Sequence, residues 1–343
     1  MKQALVSSGP KVEIVDSPIP TPGDDAVLIK VVVSGSNPKD WKYPHFTNST
    51  YNSGDDMAGT IAAVGANVWD FKVGDRVAAF HVMKAEHGSF AEYGVAPASS
   101  TFRIPSKTSY EEAATIPLAA MTAAAGLYSN LGLPAPWEPA QSPIPLIIYG
   151  ASSAVGAFAG FVETLIDRSK GDAIVDYREG PETLVKGIKD AVAAAGLAEV
   201  KFAFDTICEH DSYIHISKGM APTGHITVVL PGKKGYSDIP QGMTTSLTWV
   251  GLVHHGPYSI KGSMGINHQS TTNGKDFGFV YFRLFGQGLA DGWFSGHPYE
   301  VLPGGLASVE TGLDNLRNGR NSAKKYVFRI AETEGAGKTG FSL

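Results

Sequence analysis

Apolar positions along this chain change texture from one end to the other. Up to about residue 105 they come as short runs, Val27-Leu-Ile-Lys-Val-Val-Val33, Gly59-Thr-Ile-Ala-Ala-Val64, Arg76-Val-Ala-Ala-Phe80 and Phe90-Ala-Glu-Tyr-Gly-Val95, parted by glycine, proline or aspartate; such punctuation predicts a small β-barrel or sandwich. From Ser109, the stretches Tyr110–Pro117 and Leu118–Tyr128 set acids early and apolar residues at helical spacing, which predicts helices. The following alternation predicts βα units: strand 145–149, helix 154–168, strand 173–176, helix 181–195, strand 200–205, helix 211–220 and strand 225–230. Past about residue 260 the rhythm stops. There Phe277–Phe285 reads as a helix or a buried strand, and Ala323–Ile330 as a terminal strand that rejoins the first domain.

Composition narrows the class. With 343 residues, 43% hydrophobic and 40 glycines, the chain reads as a two-domain globular enzyme. A net charge of −5 without long runs of one sign argues against nucleic acid and anionic membrane as partners. The start, Met1-Lys-Gln-Ala-Leu-Val6, is too quickly polar for a signal peptide, and no apolar run is long enough for a membrane span, so a cytoplasmic protein is expected. A single cysteine, Cys208, excludes an internal disulfide and a cysteine-rich zinc lobe, and reads as a small buried hydrophobe. The adjacent His254 and His255, if on a strand, point to opposite faces and make no metal site. Glu334-Gly-Ala-Gly-Lys-Thr339 imitates the end of a phosphate loop, but Glu332 stands where that loop needs glycine.

The chemistry concentrates in Pro145-Leu-Ile-Ile-Tyr-Gly-Ala-Ser-Ser-Ala-Val-Gly156, an apolar strand that breaks into a small-residue turn and opens a helix. Gly150 can take a dihedral closed to other residues, and Ala151, Ser152 and Ser153 let the backbone approach phosphate oxygens. This predicts a dinucleotide pyrophosphate site, although Ala-Ser-Ser replaces the usual middle glycine. Counting about twenty positions onward reaches Asp176, which by itself would hold a ribose hydroxyl and favour NAD.

A wider pattern overrides that count. Gly54-Asp-Asp-Met-Ala-Gly59, Val64-Gly65, Val68, Phe71 and Gly74-Asp-Arg-Val77 resemble the signature of the medium-chain dehydrogenase/reductase superfamily. Together with Asn37-Pro-Lys-Asp-Trp-Lys-Tyr-Pro44, Gly88–Tyr93, Ala114–Thr122 and Gly150–Gly156, the chain is similar to zinc-independent quinone oxidoreductases and enoyl reductases, in particular the trans-acting enoyl reductases of fungal polyketide assembly. The resemblance implies an α/β protein: a GroES-like β-domain over 1–117, a Rossmann doubly wound parallel sheet over 118–260, and a return to the catalytic domain with a C-terminal tail over 261–343. It implies NADP as cofactor, held by Asn37, Pro38, Pro117, Gly150, Ala151, Ser152, Ser153, Val155, Tyr177, Thr206 and Leu230, with Lys39, Asp40, Lys42 and Thr122 as catalytic candidates. Zinc-dependent relatives carry Gly-His-Glu where this chain has Gly54-Asp-Asp56, and a cysteine that this chain lacks, so no metal is expected.

The chain also departs from its relatives. Gly160 joins Phe161 directly, which omits about twenty residues, a helix end, a strand and a turn of one βαβ unit. That alignment moves Asp176-Tyr177-Arg178 into a later strand, takes Asp176 off the ribose, and leaves Tyr177 with Lys170 or Arg178 beside the 2′-phosphate. Without a Lewis acid the substrate has to be activated already, as in an enoyl thioester or enone. The implied partners are a small-molecule or carrier-bound acyl substrate and a polyketide synthase. Quinone reduction, and a non-catalytic relative that serves as an interaction protein, stay open as alternatives, as do a monomer and a homodimer.

Overall fold

The computed structural model describes residues 1–138, 140–160, 167–230, 238–256, 258–260, 268–270 and 273–337. It divides into two units, Met1–Met121 with Gly251–Gly256 and Thr272–Leu343, and Thr122–Val250 with Pro257–Thr271.

The first unit begins with an antiparallel hairpin, β1 (Lys2–Ser7) and β2 (Lys11–Asp16). The main sheet follows: β3 (Ala26–Gly35), β4 (Asp56–Val64), β5 (Arg76–Phe80), β6 (Tyr93–Pro97) and β7 (Thr101–Arg103). Strand β3 pairs antiparallel with β4 and β6, and β4 with β5, in the register Asp56↔Phe80. Gly59 is required by this packing, because a Cβ there would lie 2.1 Å from the Lys30 carbonyl oxygen of the neighbouring strand. Inward-facing Val27, Ile29, Met57, Val77 and Phe90 form the core. Helix α1 (Lys39–Thr47) leaves the end of β3, and α2 (Tyr110–Ala113) and α3 (Pro117–Ala124) lead into the second unit.

The second unit carries β8 (Leu146–Tyr149), α4 (Ala154–Gly160), β9 (Phe202–Asp205), β10 (His225–Val228) and β11 (Thr244–Leu247). The strands form one parallel sheet in the order β11-β10-β9-β8. Helices Pro181–Ala194 and Ser212–Lys218 supply apolar faces, with Leu184, Ile188, Tyr213 and Ile216 buried. A short antiparallel pair, β12 (Tyr258–Ile260) and β13 (His268–Ser270), belongs to the same unit. Back in the first unit, β14 (Tyr299–Val301) pairs with β15 (Lys325–Arg329), and β15 closes antiparallel on β3 through Val327↔Gly35. Residues 277–285 lie in the helix Gly274–Asp291, where Phe282 stacks on Phe102 at 5.9 Å.

Several elements depart from the sequence pattern. Residues 173–176 are not a strand: Ile174 is exposed, and Asp176 instead caps the turn Tyr177–Glu179 by accepting from the Arg178 amide. A strand needs a ladder partner, and among the described residues β8 pairs only with β9 and ends the sheet. All of β8 is accordingly half-buried, whereas β9 and β10 are mostly buried. The helix expected to reach 168 is described to Gly160, 161–166 lie outside the described residues, and Arg168–Lys170 is a separate turn behind the extended Asp167. His254 ends a 3₁₀ turn, Val250–His254, so strand alternation does not govern its ring. The run 90–95 starts its ladder only at Tyr93. The tail 338–343 lies outside the described residues. Among the described residues no helix is long and apolar enough to cross a membrane.

Candidate active-site residues

In the second unit, the chain turns sharply between β8 and α4. Gly150 takes φ +77°, and a Cβ there would lie 2.3 Å from Ile207 Cγ1, so the turn admits only glycine. Gly156 lets α4 close on the turn, since a Cβ would meet the Gly150 carbonyl at 2.3 Å. The Thr206 hydroxyl donates to the Tyr149 carbonyl at 2.8 Å and lies 2.9 Å from Ser153 Oγ, which accepts from the Gly156 amide at 3.1 Å. These bonds hold Ser153 inward and leave Ser152 exposed, with Ala151 and Val155 half-buried beside it. Leu230 follows β10, half-buried. This small-residue turn fits a nucleotide pyrophosphate, because backbone rather than side chains lines it.

Tyr177 is exposed, and its ring lies 5.2 Å from that of Tyr149. Arg178 is engaged by Asp176, with Nε at 2.9 Å and Nη2 at 2.5 Å from the carboxylate, which holds Asp176 at about 2. Beyond β9, Asp205 accepts from the Ile207 and Cys208 amides and from Ser212. Burial raises this carboxyl despite those donors. Cys208 itself is half-buried, with a left-handed φ of 57°.

In the first unit, α1 opens at Pro38, and Asp40 reaches back to accept from the amide of Asn37, the residue before that proline, at 2.7 Å. The Lys39 ammonium pairs with Asp55, lies 3.0 Å from Asp40 Oδ1, and donates to the Ser53 carbonyl at 2.5 Å. Asp55 also faces His81 Nδ1 at 3.0 Å. The carboxylates are sealed, whereas the Lys39 side chain keeps 15% of its surface. Burial would lower Lys39, but Asp55 and Asp40 outweigh it and hold the ammonium well above its ordinary value. Burial pushes Asp40 up to about 7 against the pull of Lys39. Lys42 points elsewhere, 5.7 Å from the Trp41 ring centroid.

Asn37 belongs to a second buried network. Its Nδ2 donates to Asp56 Oδ2 at 3.0 Å, and its Oδ1 accepts from Lys325 Nζ at 3.1 Å. Lys325 pairs with Asp56, whose other oxygen accepts from the Leu118 amide at 2.7 Å. One carboxylate therefore ties β4, β15 and the start of α3 together beside Pro117. Thr122 is buried farther along α3.

The structure thus brings Lys39 and Asp40 together with Asp55 and His81, and gathers Gly150, Ala151, Ser152, Ser153, Val155 and Thr206 at the turn. Asp55, His81, Asp56 and Lys325 were not legible as partners in the sequence. The one usable signal was Asp55 in the position of a metal-ligating histidine. Among the described residues no three His, Cys, Asp or Glu side chains gather as metal ligands would.

The alcohol dehydrogenase GroES-like domain family matches residues 23–106. A trans-enoyl reductase of Gibberella fujikuroi is 42% identical, covering 89% of this chain and 91% of its own length. A trans-enoyl reductase of Alternaria alternata is 30% identical over 95% of this chain and 98% of its own. These alignments run over 329 and 353 positions, more than the share of this chain's 343 residues that enters each, so both relatives have positions without a counterpart here. An alcohol dehydrogenase superfamily protein from Novosphingobium aromaticivorans shares the fold with a TM-score of 0.73 at 19% identity, over 96% of this chain and 99% of that one.

Proposed function

Because this chain belongs to the enoyl-reductase branch of the medium-chain dehydrogenases/reductases, we propose that it reduces the C=C bond of an α,β-unsaturated acyl thioester with NADPH, Lys39 returning the proton. The observation that carries this reading is the part-exposed Lys39 ammonium in a frame of buried carboxylates. A cation so held can donate to carbon and be restored to one position by Asp40 and Asp55. When bound, the nicotinamide nucleotide supplies a hydride to the β-carbon. The turn at Gly150–Ser153 binds its pyrophosphate through backbone amides, and Thr206 keeps that turn in shape. Ammonium charge near the thioester carbonyl stabilises the enolate that forms, and one proton from Lys39 to the α-carbon completes the saturated acyl chain. The likeness to trans-acting enoyl reductases extends the reading to an acyl chain carried by a polyketide synthase in secondary metabolism.

The test is reduction of an enoyl thioester by NADPH deuterated at C4, with mass spectrometry of the product. One deuterium at the β-carbon, and a kcat lowered by roughly a hundredfold or more in Lys39→Met, is the expected result. Turnover of quinones alone would overturn it.

A further inference from the structure

The register of β4 against β5 sets Asp55 beside His81, whose amide donates to the Asp55 carbonyl at 2.9 Å. Both ring nitrogens of His81 face oxygen. Nε2 lies 2.8 Å from the Glu86 carbonyl, which can only accept, so Nε2 carries a hydrogen. Nδ1 lies 3.0 Å from Asp55 Oδ1. For Nδ1 to be bare, Asp55 would have to be a protonated acid and donate to it. The other Asp55 oxygen is paired with the Lys39 ammonium, which opposes that: burial raises Asp55, but the Lys39 charge pulls against it and Asp55 lies below its ordinary value. A carboxylate facing Nδ1 requires a hydrogen there too.

We propose that His81 is a buried imidazolium, a positioning residue that shares the Asp55 carboxylate with Lys39 and thereby sets how readily Lys39 gives up its proton. The inference rests on the reading of Lys39 as the acid. All members of the cluster but Lys39 are nearly sealed from solvent. Asp40, which burial raises to about 7, accepts from the Asn37 amide through Oδ2 and turns Oδ1 toward the Lys39 ammonium. Among the described residues, further titratable neighbours are Tyr43 and Tyr51, both raised by burial, Lys84 over the Tyr43 ring, Glu86, whose carbonyl bonds His81, and His254 with His255 behind it. His254 lies over Phe80 at 4.8 Å, and burial holds it at about 4 against the pull of the Asp55 charge and a contact with the His81 backbone. It is the neutral histidine of the pair.

Without the imidazolium, the Asp55 carboxylate would act on Lys39 undivided in a dry site, and Lys39 would hold its proton harder. His81→Gln should lower kcat by roughly tenfold or more, enlarge the solvent deuterium isotope effect and move the alkaline limb of the pH profile upward, with the NADPH dissociation constant unchanged. A loss of kcat without change in isotope effect or pH profile marks a purely structural role and overturns the proposal. The native protein supplies an independent measurement: ¹⁵N-histidine NMR at neutral pH should show one ring, absent in His81→Gln, with both nitrogens protonated. If the His81 ring has one bare nitrogen while Lys39→Met is inactive, this inference falls alone. If Lys39→Met is fully active, the reading beneath it falls, and the inference with it.

Discussion

Lys325, near the C-terminal end of the described chain, forms an ion pair with Asp56 in which neither side chain is more than 3% exposed. Asn37 bonds to both partners, and the Leu118 amide takes the remaining Asp56 oxygen. Lys325→Met leaves the Asp56 charge buried without a cation and should cost about 3–5 kcal/mol, whereas Lys325→Met with Asp56→Leu should recover part of that loss. Urea unfolding of the three proteins measures it. Equal destabilisation by the single and double variants would show that packing, not charge, governs the site.

The nucleotide turn makes a separable prediction. Ser152 is exposed on the turn and forms none of its internal bonds, so Ser152→Tyr should fill the pyrophosphate position and lower NADPH affinity at least tenfold without loss of thermal stability. Gly150→Ala should do both, because φ +77° and the contact with Ile207 strain any side chain. Fluorescence titration and thermal melts distinguish the two outcomes.

Cofactor selectivity should be weak and adjustable. Arg178, a cation beside Tyr177, is held by Asp176 in the same turn. Asp176→Asn should release it and raise the preference for NADPH over NADH roughly tenfold, the scale of one charge-assisted phosphate contact at about 1.5–3 kcal/mol. An inserted segment of about twenty residues after Gly160, long enough for a strand and a turn, should raise both selectivity and melting temperature. Strong NADPH selectivity in the native chain, unaltered by either change, would locate the phosphate contact elsewhere.

Acid should weaken the fold through His254. Its folded value of about 4 lies below the unfolded value near 6.5, so its contribution is fully present above 6.5 and is lost as pH falls toward 4. The shift corresponds to about 3 kcal/mol across that window. His254→Phe should flatten the decline relative to the native protein, with Asp40, whose raised value acts in the opposite sense, common to both. Denaturant midpoints at several pH values from 4 to 7 would show it, and parallel curves for the two proteins would contradict it.

Local pattern determined much of this protein. Runs of apolar residues between glycines and prolines marked β3, β4 and β5, and small residues at 150–156 marked the turn after β8, because strand pleating and tight turns are set by neighbours in sequence. Lys39 and Asp40, which open α1, could be named from the family resemblance of the segment Asn37–Pro44. Their partners could not, since Asp55 and His81 meet Lys39 only through the pairing of β4 with β5, and Lys325 meets Asp56 only once β15 closes on β3. The segment 173–176 shows the same limit from the other side. It has the composition of a strand, but a strand exists only when another backbone takes its hydrogen bonds, and in this structure β8 and residues 173–176 form none with each other.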